Sequence, residues 1–113
     1  MKLEIAEPVD GVVNVALIGR LDTPGVDKIE TKLTASLVPR GARAIVDLSQ
    51  VEFAGSLAIR MFITIAKALA RNNGKLVLYA PQPLLQQVFE TASLNDIVPI
   101  RADAATAAAL ARG

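Results

Sequence analysis

Between residues 44 and 79 the pattern of apolar and polar positions changes its period twice, and each change marks an element. AIVDL, residues 44–48, is a short β-branched run of strand type. LAIRMFITIAKALAR, residues 57–71, has the length and charge spacing of a helix instead. Arg60, Thr64, Lys67 and Arg71 fall on one helical stripe, so the rest of that helix must be buried. A short loop joins the two. Gly55 supplies backbone freedom before the turn, and Ser56 is the candidate N-cap, its hydroxyl placed to accept from the amide of residue 58 or 59. Asn73-Gly74 stops the helix, and KLVLY, residues 75–79, is a second strand. Strand, helix and strand make a right-handed βαβ unit with parallel strands. The Ser56 hydroxyl then sits at the carboxyl end of a central strand and the amino end of a buried helix, where negative charge is favoured. A solvent-facing serine there is a natural phosphate site.

The flanks extend this unit. KLEIA, residues 2–6, alternates as an edge strand, residues 8–11 turn, and VVNVALIGRL, residues 12–21, forms a longer strand in an antiparallel hairpin with the first. Gly19 marks a bulge or a close approach. Asp22-Thr23-Pro24 opens a helix, with Thr23 as N-cap, Pro24 at the first helical position and Asp22 adding negative charge. Val26, Ile29, Leu33 and Leu37 form its apolar stripe. A third helix over residues 83–93 places Leu84, Leu85, Val88, Phe89 and Ala92 on one face. Residues 97–100 are a strand that Pro99 confines to an edge, and residues 103–112 are a final helix capped by Asp103 and docked mainly through Leu110. The order ββαβαβαβα predicts an α/β fold: one domain over residues 1–113, with a mixed sheet covered by helices mainly on one face.

Composition narrows the function. The chain has 113 residues, 52% of them apolar, which suits a single well-packed core. A net charge of +1 with no basic block speaks against nucleic acid. Cysteine and histidine are both absent, which removes disulfides, thiolate and imidazole metal sites, and the Ser-His-Asp and Cys-His catalytic arrangements. With no Gly-rich phosphate loop and no clustered carboxylates either, the expectation is a protein that is not an enzyme and needs no metal or cofactor. The amino-terminal residues lack the apolar core of a signal peptide. The longest apolar stretch carries Arg60 and Lys67 and falls short of the roughly 20 residues of a membrane span, so a cytoplasmic protein without membrane insertion is expected.

The segment GRLDTPGVDKIE and the run from IVDLSQVEFAGSLAIR to FETASLNDIVPI resemble the STAS domain, and within it the bacterial anti-sigma factor antagonists, over nearly the whole chain. Asp47, Leu48, Ser49, Val51 and Phe53 match the strand and loop of the family, and Ser56 falls on its phosphorylatable serine. Gly19, Leu21 and Asp22 match its G-x-L-D segment. Gly55 stands where the family usually has Asp, and Leu57-Ala58 where it has Ser-Gly. The resemblance implies a regulator that binds an anti-sigma factor, often a GHKL-type ATPase and serine kinase, and so frees a sigma factor for transcription. Phosphorylation at Ser56 would release the complex, with Asp22, Thr23, Gly55, Ser56, Leu57 and Arg60 at the partner-binding surface. The alternative is a STAS scaffold subunit without phosphorylation, in a stress-signalling complex or the cytoplasmic part of a lipid transporter.

Overall fold

Alternate positions of the longer amino-terminal strand are apolar. In the computed structural model, which describes residues 1–113, Val13, Val15, Leu17 and Leu21 are all buried on one side of a sheet. Val12 points to the other side. This strand is β2, Val12–Leu21, and it pairs antiparallel with β1, Lys2–Ile5. The chain continues through α1 (Thr23–Leu37), β3 (Arg43–Ala54), α2 (Ser56–Arg71), β4 (Lys75–Tyr79) and α3 (Pro83–Thr91). It closes with a 3-10 turn (Leu94–Asp96), β5 (Ile100–Arg101) and α4 (Ala104–Arg112). The strands lie side by side in chain order, and β2 to β5 run parallel. The mixed sheet and the element order are those the sequence predicts.

Each crossover from β2 onward steps to the next parallel strand in the same direction, which sets α1, α2 and α3 on one face. The main core of 26 buried residues fills that side. Phe62 of α2 and Phe89 of α3 meet edge to face there, with ring centres 6.4 Å apart. On the opposite face α4 buries Ala107 and Ala111 against Val12, Ile45 and Val77. Arg43 Nη1 and Lys75 Nζ donate to the Ala111 and Leu110 carbonyls at 3.0 and 3.2 Å, where a helix end favours cations. At its amino end Asp103 accepts from the Thr106 amide and hydroxyl, and these bonds hold its carboxyl below the ordinary range. A lowered folded-state pKa makes this contribution present above the ordinary carboxylate value and lost as the pH falls through the lowered one.

Four local expectations are corrected. β3 does not stop at Leu48 but runs to Ala54, because it carries one extra residue opposite Ala16–Ile18 of β2 and another opposite Gly19–Arg20. These two bulges keep the polar SQVE stretch paired to β2 where local composition reads as a loop. Gly19 is both a bulge site and a close approach: its φ is +118°, and a side chain there would stand 3.3 Å from the Met1 Cα. On α3, Leu85 and Phe89 are buried whereas Leu84 is 68% and Val88 37% exposed, since one narrow helix face cannot turn all five apolar positions inward. Finally, α4 docks through Ala107 and Ala111 rather than Leu110, because small side chains let the helix lie close to the sheet, and the terminal strand is only Ile100–Arg101.

Phe62→Ala is expected to cost about 3–5 kcal/mol in urea denaturation, through the cavity left beside Phe89. Leu84→Ala is expected to stay within about 0.5 kcal/mol of the parent.

Candidate functional site

The paired ends of β2 and β3 bring two helix starts together. Leu21 is opposite Ala54, and the Gly55 amide donates to the Leu21 carbonyl at 3.2 Å, so Asp22 and Ser56 leave the sheet side by side. Asp22 is the N-cap of α1: its Oδ1 accepts from the Gly25 amide at 2.9 Å. Thr23, expected as the cap, is the first helical residue and is exposed, because the carboxylate preceding it already reaches the orphan amide. Gly25 has no room for a side chain, since a Cβ would collide with the Arg20 carbonyl. Arg20 reaches over this corner, with its Nε 3.5 Å from Asp22 Oδ2 and its guanidinium 4.7 Å above the Phe53 ring.

Ser56 is not the N-cap of α2. That position belongs to Gly55, whose carbonyl accepts from the Ala58 and Ile59 amides at 3.1 and 3.3 Å. Ser56 is therefore already helical, and its exposed side chain makes no capping bond. Gly55 has φ −102° and ψ −171°, extended backbone open to any residue. A Cβ at Gly55 would rest 3.5 Å from the Phe53 ring, an ordinary contact. The backbone freedom expected at residue 55 is thus not used, and an Asp would fit.

The remaining predicted residues divide. Arg60, one turn beyond Ser56, is exposed and forms no ion pair. Leu57 is half-buried and packs on the main core, so it anchors the start of α2. Beside Ser56 lies an open groove of about 530 Å³ between α2 and α3, lined by Gly55, Ser56, Ile59, Gln87, Val88 and Thr91, with Ala92 at its end. The α3 residues were not among the predicted site residues, and neither were Arg20 and Phe53. Setting Leu84, Leu85, Val88, Phe89 and Ala92 all inward hides the first group, and Arg20 and Phe53 carry no local signal, since only the β2–β3 pairing brings them together. No three His, Cys, Asp or Glu side chains are grouped to hold a metal ion, and no helix is long and apolar enough to cross a membrane.

The family model for the STAS domain matches residues 5–107, and the chain belongs to that family. Its relatives include BtrV of Bordetella bronchiseptica, a candidate anti-sigma factor antagonist, 28% identical over 109 residues that cover 96% of this chain and 93% of BtrV. The anti-sigma-B factor antagonist of Listeria monocytogenes is 26% identical over 101 residues, 89% of each chain. Among solved structures, the anti-sigma factor antagonist SpoIIAA in its unphosphorylated form superposes with a TM-score of 0.80 at 20% identity, covering 99% of this chain and 97% of its own. The phosphorylated form of the Bacillus protein gives 0.70 at 21% identity, over 98% of this chain and 100% of its own. The solved structures share the fold, and the two relatives matched by sequence carry the name anti-sigma factor antagonist.

Asp22→Ala is expected to lower stability by about 0.5–2 kcal/mol through loss of the α1 cap. Gly55→Asp is expected to raise it by about 0.5–1 kcal/mol, through a new cap, a charge at the helix start and a stiffer unfolded chain. Paired urea titrations read both, and an unchanged midpoint for Asp22→Ala would contradict the capping role.

Proposed function

We propose that this chain is an anti-sigma factor antagonist: a binding module whose docking face centres on Ser56, which takes up an anti-sigma factor and so frees a sigma factor. The observation that carries this reading is the Ser56 hydroxyl, exposed, uncommitted to a cap, and flanked by the capped corner at Asp22 and the groove against α3. Asp22, Thr23, Gly55, Ser56 and Arg60 supply the polar part of the face, and Ile59 and Val88 the apolar part.

The regulation follows from charge. A partner serine kinase of the GHKL type would move the γ-phosphoryl group of ATP to Ser56 Oγ: the Oγ–P bond forms, the bond to the bridging oxygen breaks, ADP leaves and the hydroxyl proton is lost. The product carries roughly −1.5 to −2 charge. On the free chain it is tolerated, because the amino end of α2 stabilises nearby negative charge by about 0.3–1 kcal/mol and Arg60 is one turn away. Inside an interface without counter-ions the same charge costs several kcal/mol, and each 1.4 kcal/mol weakens binding about tenfold. A second reading, a scaffold subunit that is never phosphorylated, is favoured by one feature: Gly55 leaves the position before Ser56 without a carboxylate.

The test is co-purification of the partner from the native cell, then titration and intact-mass measurement with and without ATP. Ser56→Ala is expected to keep the parent affinity and Ser56→Asp to lose at least about tenfold. Equal affinities for the two variants would contradict the switch, and binding without any mass gain on ATP addition would select the scaffold reading.

A further inference from the structure

The two edges of the open sheet differ. β5 contributes two residues preceded by Pro99, which has no amide hydrogen, so that side offers little to another strand. β1 has four residues in unbroken register with β2 and contains no proline. Ala6 donates its amide to the Asn14 carbonyl at 2.9 Å. Groups facing a neighbour alternate along an antiparallel strand, so Lys2 and Glu4 turn their backbone groups toward β2, while Leu3 and Ile5 turn theirs outward.

The side chains alternate as well. Leu3 and Ile5 are half-buried against the main core. With Lys32, Ala35, Pro39 and Arg40 they border an open groove of about 570 Å³ along α1. Lys2 and Glu4 stand on the opposite face, 69% and 55% exposed and 3.6 Å apart.

We propose that this edge receives a second copy of the chain, β1 against β1, antiparallel about a two-fold axis at Leu3. In that register each Leu3 exchanges both outward hydrogen bonds with the Leu3 of the other copy. Each Lys2 lies opposite the other copy's Glu4, and each Ile5 opposite Met1. The backbone groups used are those β2 leaves free, the charged face of the strand pairs opposite signs, and its other face sets Leu3 and Ile5 together with Lys32 and Arg40 of the α1 side at the border. Other centres lose this. An axis at Ile5 sets Leu3 against Glu7, and one at Lys2 or Glu4 sets that charge against its own copy across the axis. The result is an isologous dimer in which the five-stranded sheet continues into its copy. None of Asp22, Gly55, Ser56 or the α2–α3 groove lies on this edge, so the dimer and the Ser56 face can succeed or fail separately.

Sedimentation equilibrium of the full chain, with any affinity tag at the carboxyl end, tests it. The parent is expected to associate reversibly into dimers. Lys2→Glu and Glu4→Lys each oppose like charges at both symmetry-related pairs and are expected to weaken the dimer roughly tenfold or more. An equimolar mixture of the two variants sets Glu against Lys at every pair again and is expected to recover the parent association. Both positions are exposed, and circular dichroism checks that the variants keep the fold. A parent monomeric up to millimolar concentration, single variants that dimerise like the parent, or a mixture that fails to recover would each overturn the proposal.

Discussion

The pairing of β2 with β3 is the constraint on which the site depends. It runs from Val12 opposite Arg43 to Leu21 opposite Ala54, and it closes only because β3 spends two extra residues in bulges. Were the same twelve residues laid in a regular ladder without bulges, the end of β3 would overshoot Leu21 by roughly 6–7 Å, at about 3.3 Å per residue. The Gly55 amide would then miss the Leu21 carbonyl, and the starts of α1 and α2 would no longer share a corner. A regular ladder would also change the core, because strict alternation after Leu48 would turn Gln50 and Glu52 inward and Val51 outward.

Two helix starts at the carboxyl end of parallel strands give this corner its electrostatic character. At one, Asp22 is fully engaged, capping α1 with one oxygen and facing Arg20 with the other. At the other, Gly55 supplies only a carbonyl, and Ser56 stands free. One corner is therefore already neutralised while its neighbour can still receive negative charge. The Arg20–Phe53 stack ties the two together, since the ring that carries the guanidinium also borders Gly55. A phosphate at Ser56 would add charge at a helix start that has no side-chain cap, which is how a single hydroxyl can govern docking in the account proposed here.

How much of this could be read from residues alone depends on the range of the interactions. Val26, Ile29, Leu33 and Leu37 sort themselves by a single helix period, and all four are buried as expected. The βαβ logic of the central unit and the one-sided placement of α1 to α3 follow from connection handedness. Where partners distant in sequence decide, local signals mislead. Ser49 to Glu52 look like a loop until β2 is beside them, and Thr23 looks like a cap until Asp22 is seen to reach Gly25. Ser56 reads from sequence as the N-cap of α2, but the cap is Gly55 and the Ser56 side chain is exposed and already helical, because the step from β3 into α2 is one residue tighter than the sequence suggests. Leu84 and Val88, exposed on α3, became part of the surface picture only once the helix had an orientation.

The most direct measurement is the map of backbone amide shifts in the labelled chain as the purified anti-sigma factor is added. The account predicts that the perturbed amides cluster at Asp22 to Gly25, Gly55 to Arg60 and Gln87 to Ala92, with α4 and β1 unmoved. Perturbations centred on α4 or on the sheet face beneath it, with the Ser56 region silent, would contradict it.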